Sequence, residues 1–362
     1  MKRILVGLSW WVDSAVAAYL LLQQGYDVTA GFMINYTTND EHCTTKEDLS
    51  EAQRVASYLG IKLYTFDFQT EYHERIVRYI IDSYKNWLTP NPDVLCNSEI
   101  KFKLFLDEWI ALWFDGVATG HYARILSDHK DANTPLSIEN TRYKLLKWVD
   151  ANKDQSYFLA GLNQEQLSKS LFPLGDLTKP QVREIAKEAG LPNADRKDSQ
   201  GICFIGKVPM KTFLQQYIPT QTWHILNTAW QIIGEHDWAW WYTIGQRRWI
   251  GFAWKEPLFV IKKDIKENTI TLGTSEEADL YNQDILVSHW HRIGEEYWLP
   301  FHGHAKIRYR QDDKKMILDA ETASDDKSLL HAHFIESQRA VASGQILVAY
   351  NGDEVIWSGI IV

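Results

Sequence analysis

The chain reads as an α/β protein: an N-terminal doubly wound parallel sheet, then a small central mixed domain and a C-terminal β-barrel. Three observations predict this. Strand-like and helix-like patterns alternate through the N-terminal half, which is the signature of a parallel sheet with helices on its faces. After about residue 207 the apolar runs become short and strand-like. From about residue 279 they alternate with period two between turn signals such as Asn351-Gly352-Asp353. At 362 residues the chain exceeds what one hydrophobic core usually organises. We therefore place domains at 1–207, 208–278 and 279–362.

The elements follow in order. Residues 3–8 form an apolar run suited to a buried strand, and 14–24 carry Val16, Ala17, Leu20 and Leu21 at helical spacing. A second strand covers 27–34. A helix over 47–59 opens on Thr45-x-x-Asp48, which resembles a capping box. Strand 62–66, helix 71–84, a loop holding Pro90 and Pro92, helix 99–112 and strand 116–119 continue the alternation. The helix at 179–189 has Pro180 in its first turn and stops at Gly190, with Pro192 behind it. Strands at 258–262, 269–272 and 284–288 belong to the later domains.

Composition excludes several classes. Hydrophobic residues at 45% and charged residues at 23% are ordinary for a globular chain, and no repeat or low-complexity tract interrupts it. No apolar run is long enough for a membrane span, because Asp13 breaks the N-terminal stretch. Lys2-Arg3 followed by Ile4-Leu5-Val6 imitates a signal peptide, but Asp13 and the break at Gly7 suit a strand, loop and helix better. Three cysteines make no disulfide framework, so a cytoplasmic location is expected. A net charge of −9 argues against indiscriminate nucleic-acid binding. Local footprints remain: Lys306, Arg308 and Arg310 near Lys314-Lys315, and the pairs Arg247-Arg248 and Lys262-Lys263. Solvated loop charges are the other reading of each.

Three segments could carry chemistry. Ser9-Trp10-Trp11-Val12-Asp13-Ser14 lies between a strand and a helix N-terminus, where free N–H groups and the helix dipole favour phosphate. Thr89-Pro90-Asn91-Pro92-Asp93-Val94-Leu95-Cys96-Asn97 puts a carboxylate three residues before a thiol, a spacing that suits an acid/base beside a nucleophile. A buried inert cysteine after a proline turn is the alternative. Asp198-Ser199-Gln200-Gly201-Ile202-Cys203 offers a second thiol in a polar loop. Cys43 with His42 lacks the spacing of a metal site, and no metal site is expected.

The first loop resembles the Ser-Gly-Gly-x-Asp-Ser loop of the PP-loop ATP pyrophosphatases, whose fold is of the HUP-like adenine nucleotide hydrolase type. With Gly-His-Tyr-Ala-Arg at 120–124, Asn-Lys-Asp-Gln-Ser-Tyr-Phe-Leu at 152–159, both cysteine segments, Tyr-Thr-Ile-Gly-Gln-Arg at 242–247 and Ile-Arg-Tyr at 307–309, essentially the whole chain is similar to the MnmA/TrmU family of bacterial tRNA-specific 2-thiouridylases. The resemblance implies sulfur transfer to C2 of the wobble uridine in tRNAs for Lys, Glu and Gln, after ATP with Mg2+ adenylates the uracil O2. It implies ATP contacts from Gly7, Leu8, Ser9, Trp10, Trp11, Val12, Asp13, Ser14, Met33 and Gly120. Asn91, Pro92 and Asp93 would meet the target base, everted from its stack. Lys153, Asp154, Gln155, Arg308 and Tyr309 would touch the tRNA.

Cys203 would hold a persulfide received from a cysteine desulfurase or sulfur-relay protein. Cys96 would be the partner thiol that releases its terminal sulfur, forming a disulfide with Cys203, and Asp93 would assist by proton transfer. Because the thiolate is the competent form, both thiols are expected in polar, accessible loops. Where the family has glycine this chain has Trp10 and Trp11, and likewise Trp113, Trp148, Trp238 and Trp249. An indole at 10 or 11 would fill space meant for pyrophosphate, and left-handed geometry there would cost roughly 1–2 kcal/mol. Two rival readings follow: a tRNA-binding protein whose ATP loop is blocked by Trp10 and Trp11, and a PP-loop ligase of small molecules, in which the two thiols have no role.

Overall fold

The computed structural model describes residues 1–37, 44–127, 141–196, 210–219, 221–237, 239–248, 250, 256–264, 266–294, 297–320 and 329–362. It opens with β1 (Arg3–Gly7), α1 (Val12–Gln23), β2 (Asp27–Ile34), α2 (Thr45–Leu59) and β3 (Leu63–Asp67). Next come α3 (Gln69–Tyr72), a π-helical turn His73–Val77, α4 (Arg78–Lys85), α5 (Pro92–Cys96), a π-helical stretch Asn97–Leu104, α6 (Phe105–Ala111) and β4 (Gly116–Ala118). β5 (Arg124–Ser127), β6 (Tyr143–Leu146), α7 (Gln164–Ser168), β7 (Ser170–Leu171) and α8 (Lys179–Glu188) follow.

The first sheet runs β3-β2-β1-β4-β7 with every pairing parallel, as the alternation predicts. Its central strand is apolar between its ends because helices cover both faces: Ile4, Leu5 and Val6 are fully buried. Chain order reverses across β1, with β2 on one side and β4 on the other. Ligands of such sheets bind at that switch point, beyond the carboxyl ends of the strands. Small side chains Ala15, Ala17 and Ala18 are buried on α1, which lets the helix lie close to the sheet just after the candidate phosphate loop.

Several helices differ from the reading above. The cap of α2 is Thr44, whose hydroxyl donates to Asp48 Oδ2 at 2.8 Å, while Thr45 donates instead to the Tyr36 carbonyl. The helix expected over 71–84 is interrupted by the π-helical turn at His73–Val77. The helix expected from 99 starts at Pro92, which occupies its first turn, with the Asn91 side chain accepting from the Val94 amide. Cys96 therefore stands on a helix and is 1% exposed, not in an accessible polar loop. The proline that stiffens the loop also fits the first turn of a helix, where its missing N–H costs nothing.

Beyond α9 (Met210–Gln215), the central sheet contains β8 (Trp223–Leu226), β9 (Ile232–His236), β10 (Phe259–Asp264) and β11 (Thr269–Gly273), in the order β10-β11-β8-β9. The C-terminal strands are β12 (Tyr281–Arg292), β13 (Phe301–Lys306), β14 (Lys314–Ala320), β15 (Leu330–Arg339), β16 (Ile346–Asn351) and β17 (Glu354–Ile361). They pair antiparallel as β12-β15-β14-β13-β16-β17, and β17 returns to β12 to close a six-stranded barrel. Closure leaves the barrel no open edge between its strands. The β5-β6 hairpin, which precedes residue 207, joins the barrel through β6 on β17, with Val355 opposite Leu145.

This junction is also electrostatic. Lys306 on β13 lies 3.3 Å from Asp154, with side-chain exposures of 9% and 3%. Lys306 is thus spent inside the molecule and is not part of an exposed basic footprint. Removing one member of a buried pair leaves an uncompensated charge, so Lys306→Ala is expected to lower stability by about 3–5 kcal/mol. Lys314→Ala, which loses only the exposed pair with Glu336, should cost less than about 1 kcal/mol. Urea unfolding of both variants tests this; equal small losses would mean that Asp154 is solvated.

Trp87, Trp113 and Trp230 have φ of 62°, 61° and 61°, in the left-handed region that favours glycine. Neither Trp10 nor Trp11 is among the positive-φ residues, and Trp11 is extended at φ −80° and ψ 149°. The strain expected at the phosphate loop lies instead at these three distant turns. Trp113 is 84% exposed and so gains little from packing. Replacing it with glycine relieves roughly 1–2 kcal/mol of left-handed strain and loses about 0.5–1 kcal/mol to backbone entropy. Trp113→Gly should raise the urea midpoint slightly; a fall would show that the indole packs productively.

Candidate active site

At the switch point, Ser9 to Ser14 form a turn closed by its own hydroxyls. The Ser9 amide donates to Ser14 Oγ at 3.0 Å, the Trp11 amide donates to Ser9 Oγ at 3.3 Å, and the two hydroxyl oxygens are 3.0 Å apart. Gly120 packs on this turn: a Cβ there would fall 2.7 Å from the Asp13 carbonyl carbon and the Ser14 nitrogen, so no larger residue fits. Met33 lies beside Gly7, its Cε 3.6 Å from where a Cβ would be. Leu8 and Val12 are buried in the sheet–helix core. The indoles of Trp10 and Trp11 lie against each other with centroids 3.4 Å apart. The Arg196 guanidinium sits 4.1 Å above the Trp10 ring, and the Asn193 side chain donates to the Trp10 carbonyl at 3.2 Å. The pair therefore leans on the segment after α8.

Asp13 Oδ1 accepts from the Tyr122 hydroxyl and from Lys179 Nζ, each at 2.5 Å, and Lys179 also donates to the Tyr122 oxygen at 3.0 Å. Burial, then the Asp13 charge, pushes the Tyr122 phenol far above its usual range. Burial pulls Lys179 below its usual value although Asp13 opposes it. Lys153 is pulled down by burial and then by Lys179. Tyr122 stacks on Trp148 at 4.1 Å, and that indole, 4% exposed, donates to the Leu174 carbonyl. Trp148 is thus built into the core behind the loop.

The second constellation is a cavity of about 230 Å3 lined by Ile80, Tyr84, Pro90, Asn91, Pro92, Asp93, Phe158, Met210 and Gln345. It is smaller than the roughly 300–1,000 Å3 of drug-sized ligand sites, a size suited to one base. Tyr309 stacks on Phe158 with centroids 4.2 Å apart, so the C-terminal barrel backs the cavity wall. Burial raises the Tyr309 phenol to about 12, and the Asp93 charge adds to this. Cys96, one helical turn after Asp93, is buried in the core beneath. Cys203 and Cys43 lie outside the described residues, as do Trp238 and Trp249.

The remaining expected tRNA contacts separate. Asp154 is 4% exposed. Its Oδ1 accepts from the Trp148 and Ser156 amides, and its Oδ2 from the Ser156 hydroxyl and Lys306. Contrary to the expectation, that carboxylate is an internal strut without a surface for RNA. Gln155 accepts from the Tyr122 amide at 2.9 Å. Arg308 is half-buried and donates to the carbonyls of Arg339 and Ala340, which fixes the positive-φ corner at Ala340. Arg310, Arg247 and Arg248 are exposed. Among the described residues no group of three or more His, Cys, Asp or Glu could hold a metal ion, and no helix is long and apolar enough to cross a membrane.

His121 next to Gly120 has a defined tautomer. Lys101 can only donate to Nε2, at 3.4 Å, so Nδ1 carries the proton and donates to the Thr119 hydroxyl at 2.7 Å. Sequence reasoning missed Lys179, Phe158 and Gln345, because no spacing links them to the loops they meet. Lys179 read only as a helix start.

The N-terminal unit is thus a parallel sheet with a serine-closed turn at its switch point. A family model described as "tRNA methyl transferase HUP domain" matches residues 2–207. "tRNA methyl transferase PRC-barrel domain" matches 211–274, and "Aminomethyltransferase beta-barrel domain" matches 282–361. The tRNA-specific 2-thiouridylase MnmA of Pediococcus pentosaceus is 44% identical over 99% of this chain and 94% of its own. The tRNA-specific 2-thiouridylase MnmA 1 of Geobacillus kaustophilus is 43% identical over 99% of this chain and 95% of its own. A solved structure, the U34-tRNA thiolase NcsA from Methanococcus maripaludis with its [4Fe-4S] cluster, has a TM-score of 0.36 at 16% identity, covering 59% of this chain and 63% of that one. The chain belongs to the tRNA-specific 2-thiouridylase MnmA family.

Burial, and then Lys101, holds the His121 imidazole well below its usual 6.5. The unfolded chain takes up a proton near that pH which the folded chain refuses, so stability falls as pH drops below it. The slope is up to about 1.4 kcal/mol per pH unit. Urea unfolding between about pH 6.5 and 5 should be flatter for His121→Gln by this amount. An unchanged slope would mean that the ring takes up its proton within the fold.

Proposed function

We propose that this chain thiolates C2 of the wobble uridine in tRNAs for Lys, Glu and Gln, using ATP with Mg2+ and a persulfide donor in the cytoplasm. The observation that carries this reading is that the α/β unit holds both a switch-point loop closed by Ser9 and Ser14 and the Asn91, Pro92 and Asp93 wall of a base-sized cavity, with Cys96 one helical turn after Asp93. The loop belongs to ATP and the cavity to an everted uridine. The domains are 1–207 for adenylation and sulfur transfer, with 208–278 and 279–362 gripping tRNA. Uracil O2 attacks the α-phosphorus, the bond to the β-phosphate breaks, and pyrophosphate leaves with the electron pair. The one loop carboxylate, Asp13, would hold Mg2+, an ion that keeps several waters and takes substrate phosphates as ligands, and the ion would supply neutralisation of the triphosphate charge.

A cysteine desulfurase or sulfur-relay protein loads Cys203 as a persulfide. Its terminal sulfur attacks C2, and AMP leaves with the C2–O electron pair. Cys96 then attacks the Cys203 sulfur, releasing the sulfur on the uridine and forming a disulfide that an external thiol reduces. Asp93 moves the proton. Cys96 starts from a buried position on the helix that follows Asp93.

Single-turnover thiolation of unmodified glutamate tRNA with a persulfide donor tests the scheme. Cys203→Ser should abolish product, and Asp93→Asn should slow it by about 10²–10⁴. Full activity of Cys203→Ser would refute the sulfur route. Running the same assay on Trp10→Gly/Trp11→Gly shows whether the indoles swing clear: equal rates mean that they do, and product from the glycine form alone means that they block ATP.

A further inference from the structure

Tyr84 stands in the last turn of α4, one turn after Ile80, and the two side chains line the base-sized cavity from the same helix face. Trp240 of the central domain meets the Tyr84 ring edge-on, with centroids 6.0 Å apart. The residue is 9% exposed, so packing from two parts of the chain sets its orientation. Other buried tyrosines commit their hydroxyls: Tyr157 donates to the Ile346 carbonyl at 2.7 Å, and Tyr122 donates to Asp13 Oδ1. Among the described residues the Tyr84 hydroxyl has no such partner, and desolvation alone acts on it, pushing it up to about 12. Nor is its oxygen sealed in the core; it opens on the cavity that the residue lines. A desolvated hydroxyl without a partner is costly, and phenylalanine would fill the same core position without that cost. Elsewhere on the wall, Gln345 spends its amide on the carbonyls of Thr89 and Pro90, and Asn91 Oδ1 accepts from the Val94 amide. The Tyr84 hydroxyl stays uncommitted.

We propose that the Tyr84 hydroxyl donates to O4 of the everted uracil, which makes Tyr84 a base-recognition residue of the cavity. This inference rests on the base-cavity reading above. In that reading uracil O2 is spent on the α-phosphorus, so O4 is the one exocyclic acceptor left for the wall to hold. The phenol stays protonated through neutral pH and keeps its hydrogen for the bond. Cytosine carries an amine in place of O4, a donor that this hydroxyl meets only by turning its own hydrogen away. Phe158, stacked on Tyr309, offers the base a flat face, but every base has such a face. A hydrogen bond at the ring edge supplies the distinction that stacking does not.

Equilibrium binding of the full chain to glutamate tRNA carrying uracil, 2-pyrimidinone (uracil without O4) or no base at the wobble position tests the assignment. Removing O4 should weaken binding to the parent chain by about 10-fold, and Tyr84→Phe should weaken binding of the uracil tRNA by about the same factor. Combined, the two changes should cost no more than either alone, because each removes one half of the same bond. Tyr84→Phe should bind the base-free tRNA within about twofold of the parent chain, which also shows that the variant is folded. Losses that multiply, an equal loss for the base-free tRNA, or a parent chain indifferent to O4 would overturn the proposal. If the parent chain binds base-free and uracil tRNA equally, the cavity reading itself fails and this inference falls with it; if loss of the base weakens binding but the two changes act independently, only the inference fails.

Discussion

The segment from Trp87 to Pro92 cannot satisfy its own backbone, and that constraint ties the molecule together. Buried amides and carbonyls need partners, and here most come from elsewhere. The Thr89 amide donates to the Ser343 carbonyl at 2.8 Å, and Gln345 donates to the carbonyls of Thr89 and Pro90. From the central sheet, Lys263 donates to the Trp87 carbonyl at 2.6 Å, and Thr243 meets the Thr89 hydroxyl at 3.4 Å. The wall of the base-sized cavity is thus shaped by all three parts of the chain. Lys263 is buried enough for desolvation to lower it to about 8, a cost that the carbonyl partially offsets. Docking the later domains is therefore part of building the cavity.

The same logic explains what could be read from residues alone. The parallel sheet was legible because Ile4, Leu5 and Val6 in β1 and the small side chains of α1 satisfy sheet and helix periodicities locally. Cys96 was legible as chemistry but not in its placement: Pro92 and Asn91 serve a loop and a helix start equally well, and only packing against the core decided between them. Asp154 and Lys306 looked like surface charge because their partnership spans 152 residues of sequence. Lys179 was illegible for the same reason, its partners being Asp13 and Tyr122.

The tryptophans divide by what surrounds them. Trp148 found a buried stack on Tyr122 and a carbonyl for its N–H, which is how a large indole is accommodated in a core. Trp113 and Trp230 are 84% and 66% exposed at left-handed turns, where bulk points to solvent, with Lys262 Nζ 5.2 Å from the Trp230 ring. At Trp10 and Trp11 the backbone conformation is ordinary, so the conflict is one of volume. Nothing in the structure explains why indoles occupy these positions.

A chain of net charge −9 can still hold polyanions, because what matters is the charge within a Debye length of the ligand, about 8–10 Å at physiological salt. Arg247, Arg248 and Arg310 are exposed, but other basic residues expected at the surface are spent on partners within the molecule. Lys306 is sealed against Asp154, Arg308 is turned onto carbonyls, and Lys314 pairs with Glu336. Lys179 is likewise held inside, on Asp13 at the carboxyl edge of the sheet, where burial lowers the local dielectric and strengthens the pair. The small cavity presents its chemistry differently, through the aromatic pair Phe158–Tyr309 beside it. Stacking acts on the π-face that every base carries. On the function proposed above, the nucleotide and the base would therefore be recognised by different physics: polar groups at the loop for one, flat apolar surface at the cavity for the other.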